Sequence, residues 1–380
     1  MSKKRSIFED VTEQERPKEK PQGGSIDAGR SAWRAPVAIW MMALFGMVAL
    51  MVVVGGLTRL TDSGLSITEW NLIKGAVPPL NAADWAEAFN KYKEIPEFQL
   101  QNKGMDLAGF KSIYWWEWGH RQLGRWVGLV WFVGLVYFFI TQNIPAMWKT
   151  RMVVIGLMGG LQGAIGWWMV SSGLTGRMVD VASYRLAVHL GLAFAILAVI
   201  GWYIMLLRRP EMQLFQAQRS ADRGIARLSS LLLGLVFAQI LLGALVAGID
   251  AGRGYIDWPL MGGEFLPSES FDYEPFWSNF FENPALVQFN HRMLGYLVFG
   301  FTIFLWFRAR KSAHVALRGI CTAVLALVTL QMVLGIFTVM YAAPWHIAIL
   351  HQLGAVFVMV MILRARFGAL YPQDQKIRGA

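Results

Sequence analysis

Apolar residues arrive in blocks of roughly 20, about the length a helix needs to cross a hydrocarbon core of ~30 Å, and short polar or Pro/Gly-containing stretches part them. Reading the blocks between these breaks predicts eight spans: 36 to 58, 118 to 141, 152 to 171, 184 to 207, 227 to 249, 286 to 307, 315 to 341 and 345 to 365. The expected class is therefore an all-α integral membrane protein. A hydrophobic share of 55% with only 16% charged residues agrees with this and excludes an ordinary soluble domain.

Charge sets the orientation. The stretches 142 to 151, 208 to 227, 308 to 318 and 364 to 380 hold fifteen Lys and Arg against three acids. The opposite connections, 59 to 118, 171 to 184 and 250 to 286, hold twice as many acids as bases. By the positive-inside rule the first set faces the cytoplasm, and both termini with it. The net charge of +10 therefore reports topology and lipid contact, not nucleic acid. Residues 1 to 35 mix basic residues with six acids such as Glu9 and Glu13, unlike a transit peptide, and are expected to be a cytoplasmic tail on a bacterial inner-membrane protein. The one cysteine, Cys321, falls inside a span and leaves no Cys-x-x-Cys-His for covalent haem attachment.

The chain repeats itself. Asp62, Gly64, Glu69, Trp70 and Pro79 match Asp250, Gly252, Asp257, Trp258 and Pro267 at an offset of 188. Further on, His120-Arg121 matches His291-Arg292, and Gln162 and Gly166 match Gln331 and Gly335. Four spans per half, an even number, give both halves the same orientation, so two four-helix bundles related by a pseudo-two-fold axis along the membrane normal are expected. The halves are 36–207 and 227–366, joined by a cytoplasmic linker at 208–226, with a second tail at 367–380.

Four of the six histidines, His120, His189, His291 and His351, open the spans that run from outside to inside, at one depth. An ionisable ring at membrane depth is costly unless it faces the bundle interior and finds a partner. The repeat pairs them, two per half, on alternate helices that lie diagonally across a four-helix bundle. That arrangement leaves a central slot for a flat macrocycle ligated from both sides, and predicts two bis-histidine haems with these residues as iron ligands. A tetrahedral zinc or copper site would need more donors closer together. His314, in a basic cytoplasmic connection, reads as a surface residue. His346 precedes His351 by five residues, about 140° around the helix, and faces elsewhere.

One carboxylate breaks the symmetry. Glu117 stands one turn before His120 on the same face, where the second half has Gln288 before His291. Two haems that only carried electrons would need no such difference, so Glu117 marks the first half as catalytic, against the plainer reading of a charge near a helix N-terminus. Arg121 and Arg292 are candidates for haem propionates or lipid phosphate, and Arg59 likewise. Gln162, Gln239 and Gln331, each four residues before a glycine, read as interhelical hydrogen-bonding residues in close packing. Asp62 and Asp250 read as turn residues.

The stretch Gly56-Leu-Thr-Arg59-Leu-Thr-Asp62-Ser-Gly64-Leu-Ser, the long outer loop with Glu69-Trp70, Glu117-x-x-His120-Arg121 and the three further histidines resemble the haem A synthase family over residues 36 to 366. The resemblance implies oxidation of a ring methyl of haem O to the formyl group of haem A for terminal oxidases. It also implies substrate haem between His120 and His189, a haem b between His291 and His351, and a part for Glu117 in the reaction. Haem O synthase, oxidase assembly factors and further copies of the chain are the implied partners, besides membrane lipid. Relatives with paired cysteines in the outer loops differ from this cysteine-poor chain. The rival readings are a two-haem electron carrier linked to quinol and a non-enzymatic haem-delivery factor.

Overall fold

The computed structural model describes residues 32–176 and 178–373; most of the expected N-terminal tail and half of the tail at 367–380 lie outside them. Among the described residues eight helices are long and apolar enough to cross a membrane. We number them α1 (Arg34–Leu60), α2 (Leu107–Thr141), α3 (Ala146–Val170), α4 (Ser183–Leu207), α5 (Arg223–Gly248), α6 (Pro284–Ala309), α7 (Val315–Met340) and α8 (Trp345–Leu370). All eight expected spans are present.

The boundaries differ most at α2, which begins at Leu107 instead of 118 and runs for 35 residues. At 1.5 Å per residue it is about 52 Å long, far more than a bilayer core requires, so its outer turns stand clear of the hydrocarbon. Hydropathy could not find those turns because they pack against protein. Asp106 caps them, its carboxylate accepting the Gly109 N–H at 2.8 Å. Phe110 and Tyr114 bury themselves in a cluster with Trp85, Phe89, Tyr92 and Phe98 from the outer helices Ala82–Lys93 and Pro96–Leu100. At the other end of the chain, α8 continues to Leu370, past the expected limit of 365. The linker between the halves is partly helical, at Glu211–Ala217.

Neighbour relations are the same in both halves. α1 packs on α2 and α4, and α3 completes a ring by packing on the same two; α5 packs on α6 and α8, and α7 completes that ring. The helices bearing paired histidines, α2 with α4 and α6 with α8, therefore occupy opposite corners. Between halves α4 packs on α5 and α8 on α1, contacts that exchange when the halves are exchanged. The shared core lies along this seam, with Met41, Leu44, Phe194, Leu197, Leu232, Met359 and Ile362 all buried. Inner connections are tied by side chains. Arg34 donates to the carbonyls of Leu206 (2.7 Å) and Arg209 (2.6 Å) at the end of α4, and Arg209 in turn donates to the Tyr371 carbonyl (2.6 Å).

The chain leaves α1 and α5 by matching turns. Asp62 (φ 49°) and Asp250 (φ 51°), 188 residues apart, both adopt the left-handed conformation that Asp tolerates better than most residues. The turn reading of these residues holds.

Candidate functional site

Each of the four histidines rests against a glycine of a neighbouring helix. A Cβ placed on Gly55, Gly166, Gly243 or Gly335 would lie 2.6, 2.8, 3.0 or 2.9 Å from Cε1 of His120, His189, His291 or His351 respectively. Any side chain there would push the ring out of place, so the glycines are what lets the imidazoles lie flat in these grooves. In the second half the rings of His291 and His351 have centroids 6.5 Å apart and planes at 77°. Two imidazoles on opposite sides of one metal, each nitrogen about 2 Å from it, have centroids roughly 6 to 6.5 Å apart. The spacing thus fits an iron between them. Among the described residues no three His, Cys, Asp or Glu side chains converge on a metal-sized site, which separates these pairs from a zinc or copper centre.

The Gln-x-x-x-Gly spacing now has a structural meaning. Gln162 Nε2 donates to the His189 carbonyl at 3.0 Å and lies 3.2 Å from its Nδ1. Gln239 does the same for His291 at 2.9 and 3.1 Å, and Gln331 for His351 at 2.7 and 3.3 Å. The glutamines are interhelical, as expected, and their partners are the candidate ligands themselves. The Oε1 atoms of Gln162 and Gln239 are buried without a partner. Groove and spacing together fit a haem.

Above each pair an arginine pins the outer loop. Arg121 donates to the Ile67 carbonyl (2.7 Å) and the Glu69 carbonyl (2.8 Å), and Arg292 to those of Tyr255 (3.0 Å) and Asp257 (3.0 Å). Ile67 and Glu69 are 188 positions before Tyr255 and Asp257, so the two clamps are the same clamp. Sequence reading offered these arginines to propionate or lipid phosphate; in the structure Nη1 and Nη2 of both donate to loop carbonyls, and Arg121 also donates to Glu117. Arg59 is likewise engaged, with Asp62 (3.1 Å), Asp250 (3.0 Å) and Asp180 (3.7 Å), and so joins the outer ends of the two halves.

Glu117 and Gln288 occupy the same place beneath these clamps and use it differently. Glu117, 3% exposed, accepts from Ser66 Oγ and the Ile67 N–H, both at 2.7 Å, through Oε2, and from Arg121 Nε (3.0 Å) and Nη2 (2.6 Å) through Oε1. Gln288, 2% exposed, donates to the Tyr255 carbonyl at 3.1 Å and leaves its Oε1 unpartnered. The first half therefore holds a carboxyl group that accepts four hydrogen bonds where the second holds a neutral amide.

Sequence reading missed Ser66, although it ends the quoted stretch, and missed Glu97. Glu97 is 4% exposed in the short helix Pro96–Leu100, with Oε2 unpartnered. Burial, then the negative fields of Asp180, Glu117 and Asp62, push its carboxyl up to about 8. The signal available was an acid directly after a helix-opening proline among aromatic residues, too weak to single out. His314 bonds the Ser220 carbonyl at 2.8 Å on the inner side, and His346 is exposed beside Trp345; neither joins the pairs.

The family model described as cytochrome oxidase assembly protein, COX15-CtaA, matches residues 38–363. The chain is similar to "Heme A synthase" of Dinoroseobacter shibae, 60% identical with 100% of both chains covered, and to that of Ruegeria pomeroyi, 55% identical with 100% of both covered. A third such relative, from Paracoccus denitrificans, is 54% identical over 99% of each chain. Together with the paired histidines and the Glu117 clamp, these matches place the chain in the haem A synthase family of cytochrome oxidase assembly proteins.

Proposed function

We infer that this protein is a haem A synthase, an oxidoreductase that converts haem O to haem A by oxidising one ring methyl to a formyl group. Full-length similarity to enzymes of that name supports the reading, as does a site with two histidine pairs and one carboxylate. With water as oxygen source, a methyl plus H₂O gives the aldehyde with release of four electrons and four protons, so the site must pass on electrons and handle protons.

Substrate haem O is assigned to His120 and His189, and a haem b to His291 and His351. When bound, haem b supplies a one-electron redox centre. The chain's residues supply the rest. The glutamines hold ligand rings, the arginines close the outer loops over the sites and exclude water, and Glu117 provides a fixed negative charge. Because its lone pairs are already met by Ser66, Ile67 and Arg121, Glu117 is suited to stabilising positive charge that develops on the substrate as electrons are withdrawn. The matching clamps at an offset of 188 support a pseudo-two-fold relation between the halves. The basic inner connections support cytoplasmic termini on a multi-pass inner-membrane protein. Haem O synthase and oxidase assembly factors are the proposed partners.

Pigment extraction tests this directly. Protein purified after supply of haem O should yield haem A or its partly oxidised precursors together with haem b. Haem b alone in every such preparation would favour the electron carrier and overturn the assignment.

A further inference from the structure

The four ligand histidines are not held alike. Three have a glutamine one turn from the supporting glycine, and His120 does not. Its groove is Gly55 on α1, the counterpart of Gly243 on α5 at the offset of 188. At the same offset the counterpart of Gln239 is Met51. The equivalence is spatial as well. The Met51 methyl lies 3.7 Å from where a Cβ on Gly124 would be, and Gln239 Nε2 lies 3.3 Å from the same point on Gly295, the residue four places after His291 as Gly124 is after His120. His120 Nδ1 is buried and has no hydrogen-bond partner.

We propose that His120 is the labile ligand of the substrate haem, released because Met51 replaces the glutamine that anchors each of the other three ligand rings. This rests on the assignment of the histidines to haem given above. Gln162, Gln239 and Gln331 act as positioning residues, each fixing a ring through an amide that bonds the histidine's backbone and lies against Nδ1. A thioether has no N–H to donate to the histidine's carbonyl, so the ring of His120 has no comparable restraint on its rotation or on its departure from the metal. The pattern matches what each half must do. A permanent haem is served by two anchored ligands, His291 and His351. A substrate that must be loaded, altered and discharged is served by one anchored ligand, His189, and one free to swing aside.

Cyanide binding to the oxidised protein reads the proposal without reference to turnover, because cyanide enters a six-coordinate site only as fast as a histidine leaves. The Soret shift is followed in the full-length haem-loaded protein, and rates are assigned to halves with His120→Ala and His351→Ala proteins. Cyanide should bind the first-half haem readily and the second-half haem slowly. Met51→Gln should slow the first-half reaction by about 10- to 100-fold, the usual scale for gain or loss of a ligand's hydrogen-bond partner, while Met51→Leu should leave it near the parent rate. Gln239→Met should speed the second-half reaction on the same scale, and decides the matter alone if the Met51→Gln protein does not accumulate. Equal rates for Met51→Gln and Met51→Leu, or an unchanged second half in Gln239→Met, would overturn it. Spectra indifferent to His120→Ala and His351→Ala would instead remove the haem assignment itself, and the proposal with it.

Discussion

The two halves share a scaffold and differ at three points on it. Both set an imidazole in a glycine groove, tie the outer loop to an arginine after the first ligand, and leave their first helix through a left-handed Asp. The first half alone has a carboxyl group at the clamp, Glu117 for Gln288. It alone has a methionine where its counterpart has a glutamine, Met51 for Gln239. And it alone carries an outer cap with an aromatic core, built on the extra turns of α2, where the second loop has only short helical turns. On the proposed assignment, the duplicated features serve haem binding and the departures from duplication serve chemistry on the substrate.

Removing ligands should have the largest effect and should separate the halves. His189→Ala, whose partner in the first half is the unanchored His120, is expected to abolish haem A formation and lose the substrate pigment while retaining haem b. His351→Ala should lose haem b. Extracted pigments quantified by chromatography check both, and loss of the same pigment in both variants would break the division of labour.

Next comes the clamp. Glu117→Gln copies the residue of the second half into the first and keeps its shape. Loss of a fixed charge of this kind costs on the order of 100-fold in turnover, and that is the expected loss, with haem content retained. The reciprocal Gln288→Glu should leave turnover within about twofold, since the carboxyl group then falls in the half assigned to haem b. Similar losses in the two variants would show that Glu117 serves the loop and not the reaction. Arg121→Lys, which cannot span the Ile67 and Glu69 carbonyls and Glu117 together, should fall between them, with a raised KM for haem O as the loop loosens.

Much of this was legible in the sequence because it depends on local rules. Hydropathy located all eight spans, and the repeat paired the histidines and isolated Glu117 from Gln288 before any coordinates. What escaped was long-range or hidden by environment. The outer turns of α2 are too polar and aromatic to register as membrane, and only their packing on Trp85 and Phe98 makes them helix. The arginines after each ligand looked like anion sites because a sequence shows donors without showing the carbonyls that take them. The glutamines were seen as interhelical, but their partners, the histidines 20 to 52 residues away, became visible only once the helices were placed.

The smallest effect concerns the outer cap, and it has no counterpart in the second half. Glu97 is buried against Tyr92 and Phe98, and burial first, then neighbouring negative charge, raises its carboxyl to about 8. In the unfolded chain the same group titrates near its ordinary value of 4.5. Between those limits the folded state keeps a proton that the unfolded state has released, so folding stability falls as pH rises from about 4.5 to 8 and levels off above. Glu97→Gln removes the titration while keeping the neutral shape. Thermal melts in detergent should therefore find the variant close to the parent at pH 5 and more stable than it at pH 8.5, by about 1 °C of Tm for each ~1 kcal/mol recovered in a chain of this size. A variant that melts below the parent at both values would mean that the ionised carboxylate is held by its hydrogen bond to Tyr92. The first half would then have two buried carboxyl groups fixed by hydrogen bonds at this end, Glu97 and Glu117, where the second has the amide of Gln288.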